Sequence, residues 1–153
     1  MHRINIYLQV TKDALIPVML VILVVTVLSH FARLRVAMKF LLLCAVAMFV
    51  TFVLAHINRW ENLWSGHPGF PSGHMTLMTC TFTLLILLNA RWIFAAVPLL
   101  CIFGWLLVHL HNHSWLDVIG AALFTPPVTL GCYAIFRRIQ RRGEVFQNGL
   151  GAE

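Results

Sequence analysis

Long apolar runs separated by short polar stretches set the pattern of the chain. The first run extends from Ala14 to about His30 and the second from about Val36 to His56. The third starts at Pro71-Ser72-Gly73-His74 and ends at Leu88 or Asn89, the fourth covers Ile93 to about Val108, and the fifth runs from about Ser114 to Phe136. Each approaches the roughly 20 residues that a helix needs to cross a bilayer. The pattern therefore predicts an all-α, polytopic membrane helical bundle with about five transmembrane helices. Residues 1–13, in which Ile4, Ile6, Leu8 and Val10 alternate among Arg3, Lys12 and Asp13, are too few to cross and read as a short interfacial segment. Pro17 is tolerated near the start of the first run, whereas Pro126-Pro127 are expected to kink the fifth. No linker, repeat or low-complexity segment divides the chain, so residues 1–153 read as one membrane-embedded domain.

Composition strengthens that picture. Hydrophobic residues make up 60% of the chain and charged residues 10%, and the mean hydropathy is +0.85. One water-soluble core cannot absorb so much apolar surface in 153 residues, but helices facing lipid can. The net charge of +6 does not point to nucleic acid, because the basic residues flank apolar runs instead of clustering on a soluble element. They read as topology signals and as attraction to anionic headgroups. Five spans place Arg3, Lys12 and Arg59 on one side, and Arg33, Arg35, Lys39, Arg91, Arg137, Arg138, Arg141 and Arg142 on the other. The positive-inside bias then puts the C-terminus in the cytoplasm and both polar motifs on the outer face of a plasma or inner membrane. Cys44, Cys80, Cys101 and Cys132 all lie within apolar runs and read as small core residues. The first run lacks a following small-x-small cleavage site and reads as a retained span.

Ionisable groups at membrane depth are expensive, so a cluster of them asks for a reason. The cluster comprises His74, His109, His111, His113, Asp117 and Arg59. If the fifth helix begins before His113, that residue and Asp117 share a face, and the carboxylate accepts a hydrogen bond from one ring nitrogen. The other nitrogen is then left as nucleophile or base. His74 belongs to the first turn of the third helix, where amide N–H groups and the helix dipole favour a phosphate, with Ser72 as helix cap and Gly73 allowing close approach. Plainer explanations stand beside these. Ser114-x-x-Asp117 is also a capping box, and the threonines at 76, 79, 81 and 83 are membrane packing residues. The alternating histidines are weak metal ligands, so no metal and no cofactor is expected. His2, His30, His56 and His67 read as incidental, Trp60, Trp64, Trp92 and Trp115 as interfacial belt residues, and Arg59 as either an anchor or a phosphate ligand. Glu61 has no assignable role.

At these residues the chain resembles the type 2 phosphatidic acid phosphatase superfamily, which includes lipid phosphatases and sphingomyelin-synthase-like phosphotransferases. Pro71-Ser72-Gly73-His74 matches its second motif in full, and His113-Ser-Trp-Leu-Asp117 matches the end of its third. The resemblance covers about residues 50–136. It implies that His113 attacks phosphorus to form a phosphohistidine, that Asp117 orients it and that His74 protonates the leaving alcohol. Ser72, Gly73 and helix-terminal amides would hold the phosphoryl oxygens. Two departures accompany the match. Leu106 and Leu107 stand where the phosphatase form has Ser-Arg, and the first motif, Lys-x6-Arg-Pro, is absent, leaving Arg59 as the basic residue placed to substitute. His111-Asn-His113 is similar to the His-Asp-His of the sphingomyelin-synthase branch, which also lacks that arginine. The expected function is hydrolysis of a lipid phosphate or pyrophosphate at the outer face, with membrane lipids as partners. Head-group transfer is the alternative, and a non-catalytic relative the rival from another class.

Overall fold

The computed structural model describes residues 2–60 and 70–150. Among them it contains five α-helices: α1 (His2–His30), α2 (Leu34–Trp60), α3 (Gly73–Leu88), α4 (Ile93–His109) and α5 (Trp115–Leu150). A single 3₁₀ turn, Ala90–Trp92, links α3 to α4, and the described residues include no strand. Four helical segments are long and apolar enough to cross a membrane: Ile6–His30, Leu34–Ile57, Ala90–His109 and Trp115–Arg141. The chain is an all-α, multi-pass membrane bundle.

The remaining helix, α3, holds the bundle together. Its 16 residues span about 24 Å at 1.5 Å per residue, short of the roughly 30 Å of a hydrocarbon core. It packs against α1, α2, α4 and α5 alike, and His74 is its one exposed residue. Its core side chains, among them Met78, Phe82, Leu84 and Leu85, are almost completely covered. The outer helices instead turn Val21, Val25, Phe49, Phe94 and Leu123 outward, as lipid-facing surfaces require. Enclosure also explains why α3 carries so many hydroxyls. Thr81 and Thr83 donate to the carbonyls of Leu77 and Thr79, each at 2.8 Å, and Thr129 of α5 donates to Cys80 Sγ at 3.4 Å. Thr81 and Thr83 thus act as packing residues that satisfy themselves locally, whereas the buried Thr79 hydroxyl has no hydrogen-bond partner among the described residues.

Several boundaries differ from the sequence pattern. Residues 2–13 do not form a separate segment but the first turns of α1, a single helix of 29 residues. Neither glycine nor proline interrupts them, and the Thr11 hydroxyl bonds back to the Tyr7 carbonyl at 2.8 Å. Lys12 is nevertheless 5% exposed, with Nζ 3.2 Å from Asp13 Oδ1, a pairing that offsets part of the cost of a charge at this depth. At the other end α5 does not stop at Phe136 but runs on to Leu150, since a helix leaving the membrane has no need to end there. It passes through Pro126 and Pro127 without interruption.

Candidate active site

The first turn of α3 is built from its cap. Ser72 has extended backbone angles (φ −63, ψ 117) and its hydroxyl accepts from the Met75 amide at 3.3 Å. Its carbonyl receives both the amide and the hydroxyl of Thr76, each at 2.9 Å. Ser72 is completely buried, so it shapes the helix start without lining the space beyond. That space is met by Gly73 and His74, at the positive end of the helix dipole, where amides have no acceptor within the helix.

The second motif is placed by a helix reversal. At the end of α4, the His111 amide donates to Val108 O at 3.0 Å and the Asn112 amide to Leu107 O at 3.1 Å. This is a Schellman motif, and its left-handed position is taken by His111, at φ 55. The His113 amide also donates to Leu107 O at 3.3 Å, tying the residue to the last turn of α4. Ser114 then caps α5 in a reciprocal capping box: its amide donates to Asp117 Oδ2 at 2.9 Å and its hydroxyl accepts from the Asp117 amide at 3.3 Å.

This arrangement corrects one sequence expectation. Because α5 starts at Trp115, His113 lies outside the helix. Asp117 Oδ2 is bound to the Ser114 amide and stands 3.8 Å from His113 Nδ1, beyond direct hydrogen bonding. The carboxylate therefore caps the helix and faces the imidazole at the same time. Its second oxygen, Oδ1, is buried and has no hydrogen-bond partner among the described residues.

A backbone bond joins the two motifs. The Ser72 amide donates to the Asp117 carbonyl at 3.1 Å, so the start of α3 is fixed to the first turn of α5. Phe70, just ahead of Pro71, lies over Gly120, where any Cβ would overlap its ring. The rings of His74 and His113 consequently stand 6.3 Å apart between centroids, inclined by 59°. Both line a cavity of about 270 Å³, together with Pro71, Gly73 and the apolar side chains of Phe52 and Leu77. The side chain of His113 is 11% exposed, and that of Asp117 behind it 7%.

The structure thus brings His74, His113 and Gly73 to one space, with Asp117 behind His113 and Ser72 beneath. His109 turns away to stack on Trp105, with centroids 4.7 Å apart, and His111 is exposed. No group of three His, Cys, Asp or Glu side chains suited to a metal occurs among the described residues. Arg59 belongs to the last turn of α2, but its side chain lies outside the described part, as do Glu61, Trp64 and His67. Leu107 is fully buried and Leu106 nearly so. The positions where a phosphatase carries Ser-Arg therefore point into the core.

One residue of the cavity was not singled out by sequence. His56, on the penultimate turn of α2, lines the same space and stacks on Phe52 with centroids 4.9 Å apart and planes inclined by 30°. Its signal was weak: a histidine four residues beyond Phe52 at the end of a span, where histidines are commonplace.

No curated protein and no solved structure matches the chain. The family model of the PAP2 superfamily matches residues 51–141, a segment containing both histidine motifs and the helices that carry them. On that match the chain belongs to the PAP2 superfamily, whose members carry out phosphatase or phosphotransferase chemistry on phosphate esters.

Proposed function

We propose that the protein is a membrane lipid-phosphate phosphatase that works through a phosphohistidine on His113. The observation that carries this reading is the facing of His74 and His113 across one cavity at the start of α3. With Nδ1 turned toward Asp117, His113 presents Nε2 to phosphorus. Attack forms the N–P bond and breaks the bond from phosphorus to the lipid oxygen, while protonated His74 gives its proton to the departing alkoxide. Neutral His74 then takes a proton from water as its oxygen attacks the phosphohistidine, which releases inorganic phosphate and restores both imidazoles. The first-turn amides of α3 hold the equatorial oxygens as charge develops. The charge distribution of the chain orients this site to the outer face, with the C-terminus cytoplasmic.

His56 supplies a further ligand for the phosphate. Stacking on Phe52 occupies a face of its ring and leaves the in-plane N–H groups for a phosphate oxygen. In this role it stands in for the side chains that Leu106 and Leu107 do not offer. Replacing His56 with leucine is expected to raise KM by about 10-fold, the effect of one hydrogen bond to a charged group, while kcat changes less. Steady-state kinetics on a lipid monophosphate checks this, and an unchanged KM removes His56 from the site.

The burial of Leu107 also favours a second reading, transfer of the phosphoryl head group to a lipid alcohol. Purified protein given a ³²P-labelled lipid phosphate separates the readings. Hydrolysis releases labelled inorganic phosphate, transfer moves the label to a second lipid, and a non-catalytic relative leaves the substrate intact.

A further inference from the structure

A second cavity of about 270 Å³ lies at the opposite end of the bundle. It is lined by Val36 at the start of α2, whereas His56, at the far end of the same helix, lines the histidine cavity. Twenty residues of helix separate them, about 30 Å along the axis. The two cavities therefore sit near the two faces of the hydrocarbon core.

The second cavity exists because α3 is short. Leu87 and Leu88, the last residues of α3, contribute to its lining, and the longer helices α1, α2 and α5 frame it. One wall is aromatic: the His30 ring meets Phe31 edge-on at 5.0 Å, and Phe31 packs against Phe40 at 5.5 Å. The facing wall, from α5, carries Tyr133, Phe136 and Arg137. The Arg137 guanidinium lies 5.8 Å from the centre of the Tyr133 ring, and it forms no ion pair with a carboxylate among the described residues.

Charge on this end is strongly one-sided. Arg33, Arg35, Lys39, Arg91, Arg137, Arg138, Arg141 and Arg142 all fall in the turns and adjoining helix segments at this end, whereas Glu144 and Glu153 are the only acids after Asp117. A cation with no carboxylate partner among the described residues, beside aromatic and aliphatic walls at the membrane boundary, suits a ligand with a negative head and an apolar tail. A free anion would leave the aromatic wall unused. A zwitterionic lipid would bring a second cation toward an already basic rim.

We propose that this cavity is a binding site for an anionic phospholipid, with its phosphate on Arg137 and Gln140 and an acyl chain along Phe31 and Phe40. The site is distinct from the histidine cavity and does not depend on the reaction assigned there.

The test uses full-length protein in mild detergent, titrated separately with phosphatidylglycerol, phosphatidylcholine and inorganic phosphate. Retained lipid is read by native mass spectrometry and stability by the thermal midpoint. Phosphatidylglycerol is expected to be retained and to raise the midpoint in wild type and equally in His113→Ala, whose outer cavity is altered. Arg137→Gln is expected to weaken retention about fivefold, the share of one cation at a lipid surface, and Arg138→Gln to leave it nearly unchanged. Arg137→Lys, which keeps the charge, controls for folding and should bind more tightly than Arg137→Gln. Equal losses in Arg137→Gln and Arg138→Gln would mean diffuse attraction to the basic end and would overturn the proposal. It fails equally if phosphatidylcholine or inorganic phosphate gives the same response, or if His113→Ala abolishes the effect.

Discussion

Replacing His113 with alanine is expected to lower turnover of a lipid phosphate by about 10³-fold or more, the scale on which removing a nucleophile or its proton partner acts. The same loss is expected for His74→Ala on a substrate with a poor leaving group, but for a different reason. In the proposed mechanism His113 makes the new bond to phosphorus, so without it no phosphoenzyme should form with any ester. There His74 only supplies a proton to the departing oxygen, so an aryl phosphate whose phenolate leaves unprotonated should bypass it in the first step. Rapid quenching of labelled His74→Ala enzyme should then trap an acid-labile phosphohistidine, and His113→Ala should trap none. Undiminished turnover in both variants would overturn the mechanism, because the two rings are the only imidazoles proposed to take part in bond making and proton transfer.

Asp117 yields the second large effect, and it separates two roles that a single substitution to alanine would confuse. One oxygen holds the Ser114 amide at 2.9 Å and faces His113 Nδ1 at 3.8 Å. Asparagine keeps an oxygen for the cap but loses the negative charge that stabilises an imidazolium. Asp117→Asn is therefore expected to unfold within about 1 kcal/mol of wild type, since the amide oxygen can still accept from the Ser114 amide in the capping box and only the charge's interaction with the helix dipole is lost. Its turnover should nevertheless fall by about 10²–10⁴-fold, as when a buried carboxylate behind a catalytic histidine is neutralised. Thermal unfolding and kcat measured on the same preparation decide the matter. A variant with full activity would reduce Asp117 to a helix cap.

Much of this arrangement was legible in the residues because it is local. The spans follow from hydropathy, and Ser72 and Ser114 announce helix starts through side chains that bond amides three residues on. The short α3 could be read directly from the distance between Pro71 and Asn89. What escaped the sequence depends on how separate segments meet. The start of α5 near Ser114 was legible, but the placement of His113 just outside that helix was not, because the Schellman turn at His111 places a non-glycine residue at positive φ, which no composition rule signals. His56 was passed over because its significance comes from the end of α2 lying beside the start of α3. The clasp from the Ser72 amide to the Asp117 carbonyl is likewise invisible, being a backbone bond between residues 45 positions apart. Conversely, Leu106 and Leu107 stood out as departures in sequence, and their burial accounts for them: at that register α4 faces the core.

The enclosure of α3 bears on how deep the chemistry sits. A helix in contact with lipid must match its apolar length to the bilayer or incur hydrophobic mismatch, at fractions of a kcal/mol per Å. Surrounded by its neighbours, α3 escapes that constraint, so the height of its first turn is set by protein packing alone. With about 24 Å of helix centred in a roughly 30 Å core, the imidazoles would lie recessed from the headgroup plane. On the proposed function, a lipid phosphate would then have to sink to meet them while its chains stay in the bilayer. Adding or removing one turn of α3 would raise or lower this reaction plane by about 5 Å without altering the lipid-facing surface, which makes the length of a buried helix an adjustable depth gauge for the substrate.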